Sequence, residues 1–253
     1  MSEQPVLWEK RNGIGWITLN RPEVRNAINF EVMKLLTDFL NAAKQDNDVK
    51  VLVITGAGTK AFCSGGDLSA FHSLKTEEQA YGMLSKMGTV LDELFFFPKP
   101  TVALINGSAV GGGCEIAAAC DVRLARAEAK VGFIQGRLGI TTGWGGGSYL
   151  LERMGQTEAM DLLYSSTPVT AKQGMDRGFI QYVIKGNSLK ETERFLQRYI
   201  QQPLGVITSY KTLQLQRYDG AKIKKSVQLE IERCAKLWAS DDHHKRVEAF
   251  LNK

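Results

Sequence analysis

Short runs of β-branched and other apolar residues, Gly15–Asn20 (GWITLN), Val49–Thr55 (VKVLVIT) and Thr101–Ile105 (TVALI), are separated by stretches whose apolar residues recur every three or four positions. That alternation confines the chain to an α/β fold of repeated β-α units around a mostly buried sheet, because strand and helix expose their faces with different periods. Phe30, Met33, Leu36, Leu40 and Ala43 share one face at helical spacing and predict an amphipathic helix over 30–43. Thr76 and Gln79 form the pattern of a capping box, so a helix is expected from there toward Phe95, with Pro98 and Pro100 ending it before TVALI.

After Gly155 helical signals dominate. Thr170 and Gln173 make a second capping-box pattern, Phe179–Ile184 reads as a short strand, and Pro203–Gly205 breaks the chain. Ser209–Phe250 reads as helices with many basic residues among apolar anchors. With 253 residues, 43% of them hydrophobic, the chain can bury the core of one such domain. The net charge of +5 suits an anionic ligand and is too diffuse to name one.

Cys63, Cys114, Cys120 and Cys234 show no CxxC pair and no histidine at metal-ligand spacing, so neither a zinc site nor a disulfide framework is expected, and no metal is. The opening segment MSEQPVLWEKRNG lacks the apolar centre of a signal peptide, and no apolar run approaches the ~18 residues that span a bilayer. A soluble cytoplasmic protein is expected. His72 lies where it can line a pocket or the surface, His243 and His244 read as solvated residues near a helix end, and no Ser-His-Asp arrangement is present.

The stretch INGSAVGGGCEIAAACD, Ile105–Asp121, places Gly111, Gly112 and Gly113 directly before Glu115 at the start of a helix. It lacks the lysine of a Walker loop and the spacing of a dinucleotide fingerprint. Two readings remain: glycines that permit a tight turn, or a helix start whose free N–H groups stabilise an oxyanion. A second glycine-rich loop, Gly56–Leu68 (GAGTKAFCSGGDL), follows VKVLVIT. Two such loops, each expected at the end of a strand of one sheet, are what a two-donor oxyanion hole needs.

The ordered set ITLNRPEVRNAIN, AFCSGGDL, INGSAVGGGCEIAAACD and LGITTGWGGGSYL, spanning about Val6 to Phe250, resembles the enoyl-CoA hydratase/isomerase (crotonase) family. The resemblance implies a crotonase-like spiral of β-α repeats over 1–195 and a helical trimerisation region over 196–253. It also implies a homotrimer or dimer of trimers, an acyl-CoA thioester as substrate, and no cofactor beyond the coenzyme A that the substrate carries. It puts the two oxyanion donors on the backbone N–H groups of Gly66 and Gly112, and contacts to coenzyme A or substrate around Arg25, Ala27, Ser64, Gly65, Asp67 and Leu68. Arg25 reads equally as an exposed turn residue, and Trp144 as either a wall of the acyl pocket or core packing.

Hydratases of the family carry two glutamates, one sited as Glu115 is and one four residues before the glycine matching Gly139. Here that second position holds Gln135. A carboxamide orients water but neither takes up nor releases a proton near neutrality. Decarboxylation of a 2-carboxyacyl-CoA needs an oxyanion hole and one proton donor, and SGGDLSAFHSLKTEEQAYGM with GITTGWGGG resembles the ethylmalonyl-CoA and methylmalonyl-CoA decarboxylase branch. Arg137 is placed to meet the substrate carboxylate. Hydration or isomerisation of an enoyl-CoA is the alternative, and an RNA-binding or catalytically idle protein of this fold a third. No basic stripe interleaved with aromatic residues is present, so nucleic acid is not expected as a partner, and with no apolar run long enough to span a bilayer neither is a membrane.

Overall fold

The computed structural model describes residues 4–186 and 188–251. The chain runs through β1 (Val6–Arg11), β2 (Ile14–Leu19), α1 (Phe30–Gln45), β3 (Val51–Gly56), β4 (Ala61–Cys63), α2 (Leu68–Phe71), α3 (Glu77–Phe95), β5 (Thr101–Ile105), β6 (Ser108–Val110) and α4 (Gly112–Ala119). It continues through β7 (Val122–Arg126), β8 (Lys130–Gly132), a 3-10 turn at Gln135–Leu138, α5 (Gly146–Arg153), α6 (Gln156–Ser165), β9 (Val169–Thr170) and α7 (Ala171–Asp176). β10 (Tyr182–Ile184), α8 (Ser188–Ile200), α9 (Leu204–Leu215), α10 (Gly220–Trp238) and α11 (Asp241–Leu251) complete it.

Six strands form the larger sheet in the order β1-β2-β3-β5-β7-β10, antiparallel at the first pair and parallel thereafter. Its central strands are buried on both faces, as parallel strands under helices are. Alternate residues serve the two sides. Val51, Val53, Val102 and Leu104 meet α8, whereas Leu52, Ile54, Ala103 and Ile105 join the main core. α10 lies against α3 and sends Ile223, Val227, Ile231 and Trp238 into that same core. Both capping boxes, at Thr76–Gln79 and Thr170–Gln173, are present.

Three expectations change. Phe30, placed on the buried face of α1, stands at the first helical position and is exposed, its ring edge against Phe71, and Val32 takes the inward place. His243, expected in solvent, is buried against Trp238 with Nδ1 2.7 Å from the Leu138 carbonyl. The two glycine loops leave not the large sheet but a second, four-stranded one ordered β4-β6-β8-β9. In it β4, β6 and β8 run parallel and β9 antiparallel. Strands of two or three residues are too short to show a period in sequence.

Candidate active site

Because β4 and β6 are parallel neighbours with Cys63 beside Ala109, the chain leaves both at one end of the small sheet. Ser64–Gly65–Gly66 follows the first and Gly111–Gly112 the second. Arg25 and Asn26, both at positive φ, turn the preceding segment so that it lies along the first loop. Ser64 N donates to Arg25 O at 3.1 Å, Ile28 N to Gly65 O at 2.9 Å, and Asp67 N to Ile28 O at 2.9 Å. Alternate amides of extended backbone point to opposite sides, so the Gly66 N–H is turned away from the Ile28 segment. It has no hydrogen-bond partner among the described residues.

Gly112 opens α4, where an N–H has no intrahelical acceptor, and its amide too is without a partner among the described residues. The loops meet: a Cβ on Gly65 would lie 3.0 Å from Gly112 N. The Trp144 ring packs on both donor glycines, with Cζ2 3.6 Å from a Cβ position on Gly66 and the neighbouring ring edge filling the Cβ position of Gly112. Glycine at 112 is what lets the indole close on that helix start. Two unpartnered amides therefore sit at one place, against one apolar ring.

They open onto a cavity of about 550 Å³. Its walls include Phe71, Met83, Leu84, Trp144 and Trp238, so an apolar acyl group would be well received. Arg137 and Arg246 line it from exposed positions, the first tied through Nε to Ser166 O at 2.9 Å and the second to Asp242 at 2.8 Å. Glu115 and Gln135 lie in the cavity wall and are buried.

Glu115 sits one turn inside α4 and points at the start of α5. Its Oε2 accepts from Trp144 N at 2.8 Å and Gly146 N at 3.0 Å, and its Oε1 from Gln135 Nε2 at 2.9 Å and, less tightly, Gly143 N at 3.4 Å. A Cβ on Gly146 would overlap the Glu115 side chain, so glycine is required there. The next amides of α5 belong to a second carboxylate. Glu230, from α10, accepts from Gly147 N at 3.1 Å, Ser148 N at 2.8 Å and Ser148 Oγ at 2.7 Å.

Burial, joined by the negative charge of Glu230, pushes Glu115 up to about 7, outweighing the Trp144 and Gly146 amides and the Gln135 side chain that favour its ionised form. A carboxyl group near 7 is matched to giving a proton at neutral pH. Gln135 Nε2 is spent on Glu115, and its Oε1 is buried with no partner. The Cys63 thiol is pushed up to about 12 by burial, and burial raises Cys114 and Cys234 as well, so none is an activated nucleophile.

The cavity thus unites Ser64, Gly65, Gly66, Leu68, Gly112, Glu115, Gln135, Arg137 and Trp144 of the residues expected from the sequence. Arg25 and Ala27 lie beside the first loop without lining it, and Asp67 turns its carboxylate to Arg21 at 2.8 Å and to the Ser69 amide. His72 is exposed, its ring on the carbonyls of Leu68 and Ser69. Sequence reading missed Glu230, Cys234, Trp238 and Arg246, all from α10 and α11. Nothing in their spacing separates them from other helical residues. Among the described residues there is no cluster of three or more potential metal ligands and no helix long and apolar enough to cross a membrane.

Comparison with known proteins matches residues 9–253 to the family model "Enoyl-CoA hydratase/isomerase". The chain is 29% identical to the short-chain-enoyl-CoA hydratase of Clostridium acetobutylicum, over 98% of this chain and 95% of that one. It is 34% identical to the ethylmalonyl-CoA decarboxylase of Homo sapiens, over 81% and 68%. Among solved structures, an enoyl-CoA hydratase from Bacillus halodurans superposes with a TM-score of 0.88 at 27% identity, over 97% of this chain and 99% of that one.

Proposed function

The chain belongs to the enoyl-CoA hydratase/isomerase family of acyl-CoA-processing enzymes, and from that premise we propose that it is a lyase that decarboxylates a 2-carboxyacyl-CoA. The observation that carries this reading is the pairing of Glu115 with the amide of Gln135 at 2.9 Å: one acid is present where the handling of water would need two.

The thioester oxygen accepts from Gly66 N–H and Gly112 N–H. Heterolysis of the bond between C2 and the carboxylate releases carbon dioxide and leaves the electron pair on C2, delocalised onto the thioester oxygen as an enolate. Two fixed amides beside the Trp144 ring hold that charge without reorganisation, each worth roughly 3–4 kcal/mol in comparable sites. The carboxyl group of Glu115 then delivers its proton to C2, and the resulting carboxylate keeps the Trp144, Gly146 and Gln135 donors until water reprotonates it. A neutral Glu115 also spares the substrate carboxylate a like charge, while Arg137 receives that carboxylate from the mouth side.

The second reading, hydration of an enoyl-CoA, is favoured by the hydratase relative that matches nearly the whole chain. Incubation with ethylmalonyl-CoA, methylmalonyl-CoA and crotonyl-CoA, with products read by mass spectrometry, separates them. The expected product is the 2-carboxyacyl-CoA less carbon dioxide. Faster conversion of crotonyl-CoA to a 3-hydroxyacyl-CoA would overturn the proposal.

A further inference from the structure

The start of α5 carries two carboxylates where a helix end ordinarily carries one. Glu115 takes the amides of Trp144 and Gly146, and Glu230 takes those of Gly147 and Ser148 with the Ser148 hydroxyl. A helix N-terminus favours ionised carboxylates, and Glu115 alone on it would be drawn toward the anion. We propose that Glu230 is a positioning residue that keeps the proton on Glu115, by occupying the rest of this helix start and setting a second negative charge beside the first.

The surroundings leave this part to Glu230. From α4 the neighbouring Cys114 thiol, from α10 the Cys234 thiol and from α5 the Tyr149 phenol are all raised by burial and stay neutral around pH 7. Asp92 of α3 is paired with Lys224 at 3.3 Å, and Arg137 and Arg246 stand at the exposed cavity rim with Nε already committed. Gln135 is neutral. Glu230 is the anion that shares one helix end with Glu115, and its charge is the second cause, after burial, of the raised proton affinity.

That this proton is used in turnover rests on the general-acid reading above; the coupling of the two carboxylates does not, so the two are tested apart. Protein labelled with carbon-13 at the glutamate carboxyls is titrated without substrate, the Glu115 signal being the one missing in Glu115→Gln. The wild-type midpoint is expected near 7. In Glu230→Gln the charged form of Glu115 is less opposed, so the midpoint falls by about one pH unit or more. Glu230→Asp, which withdraws the carboxylate by one methylene, lowers it less and carries the test if the glutamine variant does not fold.

A folded Glu230→Gln protein with the wild-type midpoint, or an aspartate variant with an unchanged or higher one, overturns the proposal. A role in stability alone would shift the melting temperature and leave the midpoint in place. If the midpoint moves while the alkaline limb of the rate profile stays, the coupling stands and the general-acid reading fails.

Discussion

Two helices of this molecule open on three glycines, and they put them to opposite uses. At α4 the run Gly111–Gly113 leaves the Gly112 amide without a partner among the described residues, in the wall of a cavity; in the α5 run Gly145–Gly147 the Gly146 and Gly147 amides are filled by Glu115 and Glu230. Both starts carry the same partial positive charge and the same freedom of close approach. The difference lies in what other elements bring to them. α4 receives the flat Trp144 ring, which has no acceptor to offer, whereas α5 receives two carboxylates. On the function proposed above, one helix start is kept for a charge that arrives with the substrate, and the other holds the acid that answers it.

The contrast can be broken most sharply at α4. Gly112→Pro removes a donor and should cost about a hundredfold to a thousandfold in kcat. Because a side chain at 112 also strikes the indole, the double variant with Trp144→Ala relieves the collision, and steady-state kinetics should show no recovery. Recovery would assign the loss to packing and leave the amide with no special part.

At α5 the filled helix start shows in stability. Glu115 binds its proton more tightly folded, with a midpoint of about 7 against 4.5 in the open chain, so folding is favoured while the group is protonated. Stability is therefore fully present below pH 4.5 and declines as pH rises through 7, by about 3 kcal/mol for this group. Denaturant titrations at several pH values should show that decline in the wild type and a flatter profile in Glu115→Gln. Equal profiles would mean the carboxylate is not held as described.

The same Glu115→Gln exchange should lower kcat by about a hundredfold and remove the alkaline limb near pH 7. Smallest of the expected effects, Gln135→Glu supplies the missing second carboxylate and should raise crotonyl-CoA hydration by roughly tenfold. A folded variant with no gain would remove Gln135 as the reason for poor hydration.

Much of this contrast was legible in the sequence. The strand runs, both capping boxes and the helix beginning at Gly112 are local signals, and their periods and spacings survive folding. Gly66, Gly112 and Glu115 were visible through glycine spacing and resemblance. Glu230 was not, because its partners lie more than eighty positions away and its helix looks like any other with an apolar face. The proton affinity of Glu115 was equally hidden. Burial and a helix start oppose each other there; burial is the larger, and the charge of Glu230, which the sequence does not place there, adds to it. The small sheet escaped because its strands take their faces from neighbours and not from their own pattern.

The account depends most on two main-chain amides polarising one thioester carbonyl. Isotope-edited infrared difference spectroscopy of a bound acyl-CoA carrying carbon-13 at that carbonyl reads this without any assumption about the reaction. The carbonyl stretch should fall to lower frequency on binding to the wild-type protein and return toward the free value in Gly112→Pro that still binds the ligand. A bound frequency equal to that of the free thioester in the wild type would contradict the oxyanion hole itself.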